Sequence, residues 1–458
     1  MTSLRFDDTI VAVATPPGRS AIGVVRLSGP QAVEMADACF RGKRRLHDLK
    51  GYQAAYGRVV DTHGAVIDEV VALVFRAPRS YTGEDMVELS AHGSPYILQK
   101  MVERLVEAGA RVAHPGEFTQ RAFLHGKLDL AQAEAVADLI EAATEAQHHA
   151  AIHQMRGHFS DTIRRLRSQL VEVAALMELE LDFAEEDVEF ADRTHLTSLV
   201  RRITDHLTTL KHSYRWGQVI KEGVYVLIAG RPNVGKSTLL NTLLREERAI
   251  VSPTAGTTRD VIEDVRIHGG IIYRFFDTAG LRTTADTIEQ IGIERMLQYA
   301  QKAHWILYLV DLTVENPADW RLPPQMQPWR DKVILIGNKT DLVEEAVVEA
   351  WKARFPEMLF ITASEPAAAD TVLDTLAEKV GLSHAPAGAL VVNARHYEAI
   401  VKALTALHAV ETKLAEDVPT DLVVFHLREA LDHLGAITGD IVTDDILTHI
   451  FSRFCIGK

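Results

Sequence analysis

Gly230-Arg-Pro-Asn-Val-Gly235-Lys236-Ser237 decides how the chain is read. The octapeptide has the GxxxxGK[ST] spacing and follows the β-branched run VYVLIAG (224–230). It opens a helix predicted from Ser237 to about Leu244, the strand-to-helix setting that a phosphate-binding loop requires. In that setting the glycines let backbone N–H groups close around a β-phosphate, Lys236 reaches the β and γ oxygens, and the Ser237 hydroxyl is placed to ligate Mg2+. Asn233, Val234, Gly235, Lys236, Ser237 and Thr238 are therefore read as nucleotide-contacting positions.

Further signals follow in chain order. Asp277-Thr278-Ala279-Gly280 ends the run IIYRFFD, so a carboxylate emerges at a strand tip where it can hold Mg2+ through water, with a glycine N–H for the γ-phosphate. Between the two phosphate motifs, Thr257 and Thr258 in AGTTRD offer the hydroxyl that completes Mg2+ coordination, although a Thr pair alone reads as a turn. Asn338-Lys339-Thr340-Asp341, after the run KVILIG, is the more specific signal. Its carboxylate can accept both N1–H and the exocyclic N–H of guanine, a pair of donors that adenine lacks. Thr362-Ala363-Ser364 then offers a backbone N–H to the guanine oxygen. In this order the elements imply a P-loop GTPase with GTP as substrate and Mg2+ as cofactor. After the DxxG glycine stands Leu281, where Ras-type GTPases carry the glutamine that orients the attacking water. Asp286 and Glu289 are the acidic candidates for that role, each against a plain reading as a solvated loop charge. Neither Arg231 nor Arg259 is an obvious arginine finger.

The remainder of the 458 residues gives this loop its setting, with room for about three domains. A hydrophobic share of 47% and a charged share of 24% are those of a globular protein, and exclude extended disorder. The net charge of -14 gives no global attraction to phosphate backbones, so any nucleic-acid contact must be local. Cys39 and Cys455 are too few for a disulfide framework and point to a reducing compartment. No run reaches about 18 apolar residues and MTSLRFDDTIVAVATPPG has no signal-peptide pattern, so no membrane association and a cytoplasmic location are expected.

Residues 1–125 alternate strand-like runs with turns, TIVAVAT (9–15), AIGVVRL (21–27) and VIDEVVALVF (66–75), and a helix is predicted from Pro95 to Ala108 with Gly109 as its stop. Residues 126–218 change to helical spacing, with one stripe through Ile163, Leu166, Leu170, Val173 and Met177 and another through Leu196, Leu199, Ile203, Leu207, Leu210 and Tyr214. The partner pattern resumes only in residues 384–458, at Tyr397, Ile400, Val401, Leu404, Leu407 and Leu414. The expected architecture is thus multidomain α/β plus α. An N-terminal α/β domain is followed by a helical domain in two halves, with a P-loop GTPase α/β domain (219–383) inserted between them. HAPAGA (384–389) is read as the return linker, LDFAEEDVEF (181–190) as a bend between helices, and a final helix is predicted from about Asp444 to Phe454.

Other features carry plainer readings. His148, His149, His153 and His158 crowd one helix without the carboxylate of an HExxH site, and are read as solvated or core residues. RGKRR (41–45) is a surface loop or a local nucleic-acid contact. Cys39 follows an apolar helix and is read as core, whereas Cys455, in the last four residues of the sequence, has no packing duty that demands a thiol and by itself reads as partly buried.

TPPGR (15–19), YTGED (81–85) with Glu88 and HG (92–93), PGEFTQRAFL (115–124), KLDLAQAEA (127–135), IGIER (291–295) and the terminal FCIGK (454–458), together with the GTPase motifs, make the chain resemble the tRNA-modification GTPase MnmE (TrmE) family along its whole length. The resemblance implies an N-terminal domain that binds tetrahydrofolate (a 5-formyl or 5,10-methylene derivative) and forms a homodimer. It also implies a flavin-dependent partner protein and, on certain tRNAs, an aminomethyl-type (carboxymethylaminomethyl) group added at C5 of the wobble uridine, U34. It places folate contacts at Arg26, Glu88, Lys127 and Lys458, K+ at Asn233, Ser252, Thr254 and Thr257, the Mg2+ hydroxyls at Ser237 and Thr258, and the water-orienting carboxylate at Glu289. It raises Cys455 to a candidate catalytic residue, as nucleophile or by position. Two departures are Thr362 where the family usually has serine and Pro253 within the K+ loop. The competing class is a ribosome-assembly GTPase that gates RNA attachment, but neither flank carries a convincing KH-type GxxG loop.

Overall fold

The computed structural model describes residues 7–182, 193–244, 263–277, 296–381, 390–416, 418–452 and 454–458. The described residues fall into two compact units, one drawn from Met1–Ala137, Gln154–Ile203 and Lys402–Lys458, the other from Asp138–His153 and Thr204–Val401.

The first unit is built on a sheet of seven strands among the described residues. Its chain order is β1 (Ile10–Val13), β2 (Ser20–Ser28), helix α1 (Ala32–Cys39), β3 (Phe40–Gly42), β4 (Gln53–Val60), β5 (Val66–Phe75), β6 (Met86–Gly93), helix α2 (Pro95–Glu107) and β7 (Arg111–Val112). The spatial order is β3-β4-β5-β6-β2-β1-β7, antiparallel except where β7 joins β1. Alternation along β5 buries Val70, Ala72 and Val74 and exposes Val71, so one face meets a core closed by Ala32, Val33 and Ala36 of α1 and Leu98, Met101 and Leu105 of α2. Pro95 occupies the first turn of α2, where its missing N–H costs nothing, and Gly109 takes φ +113° just past the end. The helix closes at Glu107, one residue before the Ala108 expected from the sequence, because Ala108 is the cap. β3, β4, β6 and β7 escaped the sequence reading; β4 is half open to solvent, which blurs its alternation.

Helices follow: α3 (Glu117–Leu124), α4 (Leu130–Glu141), α5 (Glu145–Met155), α6 (His158–Asp182) and α7 (Arg193–Glu222). Both predicted stripes are buried, Ile163 through Met177 on α6 and Leu196 through Leu210 on α7.

The second unit carries the βαβ chain: β8 (Val224–Gly230), α8 (Lys236–Leu244), β9 (Glu263–His268), β10 (Ile271–Asp277), β11 (Trp305–Asp311), β12 (Val333–Asn338), α9 (Glu345–Arg354), β13 (Leu359–Ile361) and α10 (Pro366–Val380). These form a sheet of order β13-β12-β11-β8-β10-β9, parallel apart from the β9/β10 hairpin. Gly269 and Gly270, both at positive φ, make the two-residue turn of that hairpin, whose twist suits paired strands. Both faces are covered, one by Leu239 and Leu243 of α8 with Val372 and Leu376 of α10, the other by Trp320, Met326 and Trp351. That is why β8, β11 and β12 read as unbroken apolar runs.

The last helices are α11 (Ala394–Ala415), α12 (Thr420–Thr438) and α13 (Asp444–Phe451). Tyr397 of α11 stacks on Tyr214 of α7 at 4.3 Å between ring centroids, so these two members of the predicted patterns meet. In the first unit Arg428 of α12 pairs with Glu178 of α6 at 2.7 Å. The final helix, expected to run to Phe454, stops at Phe451. A turn (Phe454 N–H to Phe451 C=O, 3.0 Å) lets both phenylalanines enter one cluster with Leu130 and Leu447. The HAPAGA linker and all but Leu181 and Asp182 of the acidic bend lie outside the described residues.

Candidate functional site

The carboxyl ends of β13, β12, β11, β8 and β10 form one edge of the second sheet. Register pairs Asp311 with Asn338, Asn338 with Ile361, Leu309 with Gly230 and Asp277 with Ile228, so the phosphate loop leaves β8 between two neighbours whose connections run in opposite directions. A crevice at such a switch point is where open α/β sheets bind ligands.

In the phosphate loop Gly230 and Gly235 hold φ of +143° and +102°, and Asn233 holds +61°. A Cβ on Gly235 would collide with the Asn338 amide, so only glycine lets the two motifs approach. Lys236 Nζ donates to the carbonyls of Gly230 (3.0 Å) and Arg231 (2.8 Å), which holds its ammonium across the loop. Val234 is buried, while Ser237 and Thr238 are exposed on the first turn of α8. Arg231 is held outward by Glu315 at 2.9 Å.

Asn338 has a structural task. Only 2% exposed, it donates from Nδ2 to Val234 C=O (2.7 Å) and accepts at Oδ1 from Ala363 N–H (2.9 Å), joining the phosphate loop to the loop after β13. Thr242 of α8 adds a bond to Ala363 C=O at 2.7 Å. Thr362 Oγ1 lies 2.8 Å from Thr340 Oγ1 and donates to Asp341 Oδ1 at 3.3 Å, so the departure Thr362 retains a hydroxyl that orients the Asp341 carboxylate. Asp341 itself is exposed. Lys339 takes φ +67° and pairs with Asp311 Oδ2 at 2.5 Å. Burial works against that carboxylate, but its bonds from Lys339 and Thr313 hold it below the ordinary aspartate range. Neither Asp311 nor Thr242 belongs to a motif, and their signal lay only at the end of WILYLVD and on the inner face of α8.

Of the other nucleotide positions, Asp277 is placed at the end of β10. Ser252, Thr254, Thr257, Thr258, Thr278, Ala279, Gly280 and Glu289, with Pro253, Leu281 and Asp286, lie outside the described residues.

A second arrangement forms in the first unit. Arg26 on β2 faces Glu88 on β6 across one register pair, with Nε and Nη2 reaching Oε1 at 2.9 and 2.7 Å. The guanidinium lies 5.7 Å from the ring centres of both Tyr81 and Phe118, and its Nη1 donates to Gly457 C=O at 3.1 Å. The C-terminal tail is therefore docked on this pair. Cys455 C=O accepts from Gly116 N–H (3.4 Å) and Lys458 N–H (3.3 Å), and Gly457 takes φ +97° with its Cα against Val13 C=O, where a Cβ would clash. Burial, together with the nearby Arg26 charge, pushes the Lys458 ammonium below the usual lysine range. Cys455 is exposed. Lys127 Nζ donates to Pro78 C=O at 3.0 Å. Cys39 is buried, as expected, and that burial raises its thiol pKa. Among the described residues no His/Cys/Asp/Glu group is arranged to hold a metal, and His149 only approaches Glu145, at 3.5 Å. No helix among the described residues is long and apolar enough to cross a membrane.

A glycine-rich loop stapled to a guanine-reading loop at the carboxyl edge of a parallel sheet defines a P-loop guanine-nucleotide-binding protein. Family models described as "MnmE helical domain" and "GTP-binding protein TrmE N-terminus" match residues 130–455 and 9–127. A protein named tRNA modification GTPase MnmE from Cytophaga hutchinsonii is 47% identical over 459 residues, covering 100% of this chain and 99% of its own. One of the same name from Salinibacter ruber is 46% identical over 462 residues, covering 98% and 99%. Among solved structures, an Era variant from Aquifex aeolicus bound to GDP and AlF4- matches at 29% identity over 40% of this chain and 66% of its own, with a TM-score of 0.26. The chain belongs to the MnmE family of tRNA modification GTPases.

Proposed function

We propose that the chain hydrolyses GTP within an assembly that alters C5 of the wobble uridine, U34, of certain tRNAs, adding a carboxymethylaminomethyl-type group from a tetrahydrofolate one-carbon unit. The observation that carries this reading is the docked tail. GTPase motifs alone fit many proteins, but here Gly457 C=O of the tail accepts from Arg26, which is itself paired with Glu88. The pair suits a reduced folate. Arg26 occupies Glu88 Oε1, while Oε2 accepts no hydrogen bond from the described residues and is left for paired N–H groups of a pteridine. Lys458 and Lys127 are the further cations for its carboxylates. Cys455, exposed in the same tail, is assigned to the modification step and not to hydrolysis.

In the nucleotide site Lys236 binds the phosphates, Asp341 reads guanine, and Ser237 with Thr258 would hold Mg2+, which when bound neutralises charge building on the transferred phosphate. Asn233, with Ser252, Thr254 and Thr257, is assigned to K+, and its left-handed backbone presents the loop turn without a glycine. Glu289 orients the attacking water. A homodimer is supported by Tyr56 and Val71, paired across β4 and β5 and both exposed on the open face of the first sheet. A flavin-dependent partner and a cytoplasmic location complete the reading, and family membership favours it over ribosome assembly.

The decisive experiment removes residues 455–458 from the full chain. Phosphate release from GTP stays within about twofold of the intact protein, whereas wobble modification in a reconstituted assay with the partner is lost, and titration with 5-formyltetrahydrofolate weakens. Normal modification by the truncated chain would sink the proposal. Hydrolysis faster in KCl than in NaCl, with the difference erased by Asn233→Ala, tests the ion assignment; equal rates in the two salts would remove it.

A further inference from the structure

At the opposite end of the second sheet, where β11, β12 and β13 begin, lies a cavity of about 670 Å³. It is far larger than a packing void and within the size range of small-molecule sites. Trp305, Val333 and Met358, at or beside the first residues of those strands, form part of its wall, so it is separated from the guanine-reading loop by the length of the strands.

Two kinds of side chain line it. Trp305, Trp320 and Phe355 supply aromatic surface, Trp320 and Phe355 meeting edge to face at 5.3 Å with planes at 88°. Arg321, Arg330, Arg354 and Lys379 stand against two carboxylates, Asp331 and Glu357. Lys379 has Glu357 at 3.6 Å. The three guanidiniums have no carboxylate partner among the described residues. Arg354 gives Nη1 to Ala318 C=O at 2.8 Å, and Arg321 gives Nη1 to Ala318 C=O at 3.2 Å and Trp320 C=O at 2.7 Å. Neutral carbonyls thus fix two of these cations without cancelling their charge, and most of their N–H donors remain unused. Arg354 also lies over the Phe355 ring at 5.6 Å, which fixes it further. In a chain of net charge -14, positioned arginines concentrated around an aromatic cavity oppose the general field.

We propose that this cavity is a second ligand site, specific for a nucleotide phosphate unit. The arginines take the phosphate through paired N–H groups and the base lies against Trp305, Trp320 and Phe355. The unit arrives either as a free mononucleotide or as an unstacked residue of an RNA strand, and the two present the same chemistry to the cavity.

The test uses the full-length protein with its guanine site saturated by GDP, titrated calorimetrically with cytidine 5′-monophosphate. A saturable one-site heat is expected, with inorganic phosphate bound about tenfold more weakly because it lacks the ring. Arg330→Glu, an exposed change remote from the nucleotide edge, weakens the cytidine nucleotide about tenfold or more while GDP affinity and basal hydrolysis stay unchanged. Trp305→Leu, which keeps the wall apolar but removes the large ring, brings the affinity for the nucleotide down toward that for phosphate. In a second arm, a five-residue oligouridylate that binds tighter than the mononucleotide and is displaced by it identifies RNA as the source. An oligouridylate that binds no tighter identifies a free nucleotide. No heat with the cytidine nucleotide, phosphate binding as tightly as the nucleotide, or full affinity in Arg330→Glu would each overturn the proposal.

Discussion

The nucleotide edge and the tail-docked pair are built in opposite ways. At the edge, each functional loop leaves the end of a strand that is hydrogen-bonded to its neighbour, so the sheet register itself brings Gly230, Asp311 and Asn338 to one level. At the pair, Arg26 and Glu88 share a register, but the third member, the Gly457 carbonyl, comes from 431 residues further along the chain. The first site is stabilised by the sheet that carries it. The second exists only while α13 and the Phe451–Phe454 turn keep the tail in place. One is assembled by neighbouring strands of a single sheet, the other by a contact between residues 431 positions apart.

The largest effect expected from this contrast is at Asn338. Asn338→Ala removes both bonds of the staple and leaves the buried Val234 carbonyl and Ala363 amide without partners, at about 1 to 3 kcal/mol for each. GDP affinity should fall by two orders of magnitude or more in a fluorescent-nucleotide titration, while titration of the first unit with a reduced folate stays as in the parent. An Asn338→Ala protein that keeps its GDP affinity would break the idea that the edge is assembled through this residue.

A smaller effect is expected from Asp311→Asn, since Lys339 keeps its backbone position and loses only its ion pair. The pair is mostly shielded from solvent, and its loss should cost about 1 to 2 kcal/mol, or roughly tenfold in GDP affinity. The sign with pH follows from the lowered aspartate pKa. The charged form is present well above the ordinary aspartate value of 3.8, so the pair is intact at neutral pH and is lost only as pH falls through the depressed value. GDP affinity should therefore be flat from pH 7 to about pH 5 in both proteins, offset by that tenfold factor. A parent protein that already weakens in this window would show that Asp311 is not held ionised by Lys339.

The same contrast explains what the sequence made legible. β8, β11 and β12 are buried on both faces and read as apolar runs, so the GTPase sheet could be recognised and its motifs ordered along one edge. Asp341 and Lys236 follow from chemistry at fixed spacing. Asn338 was read only as a member of its motif, because its partners Val234 and Ala363 are 104 and 25 residues away and the staple appears only in the fold. Arg26 and Glu88 are ordinary strand residues by any local measure, and only the resemblance of the flanking motifs singled them out. Lys127, singled out in the same way, donates to Pro78 C=O, a contact that no local pattern predicts. The final helix ends at Phe451 and not at Phe454, because the apolar pattern of these two residues fits a turn as well as a further helical turn.

The smallest effect, and the one that separates a docked tail from a fixed one, is at Lys458. Its ammonium is half-buried beside Arg26, so burial and the like charge both disfavour the protonated form, while Glu88 works the other way. With a docked-state pKa below the ordinary lysine value of 10.5, docking carries its full electrostatic penalty at pH values under the lowered pKa. That penalty is relieved as pH rises through the lowered value toward 10.5. Cys39 is buried, so a fluorophore attached to the thiol of Cys455 reports the tail alone. Its anisotropy should rise as pH is raised from neutral into the alkaline range, and in Lys458→Met it should be high already at neutral pH and flat. If the parent tail instead loosens on alkalinisation, Lys458 is charged and paired with Glu88 when docked, and the tail is held by an ion pair and not by burial of the Gly457 turn against Arg26 and Val13.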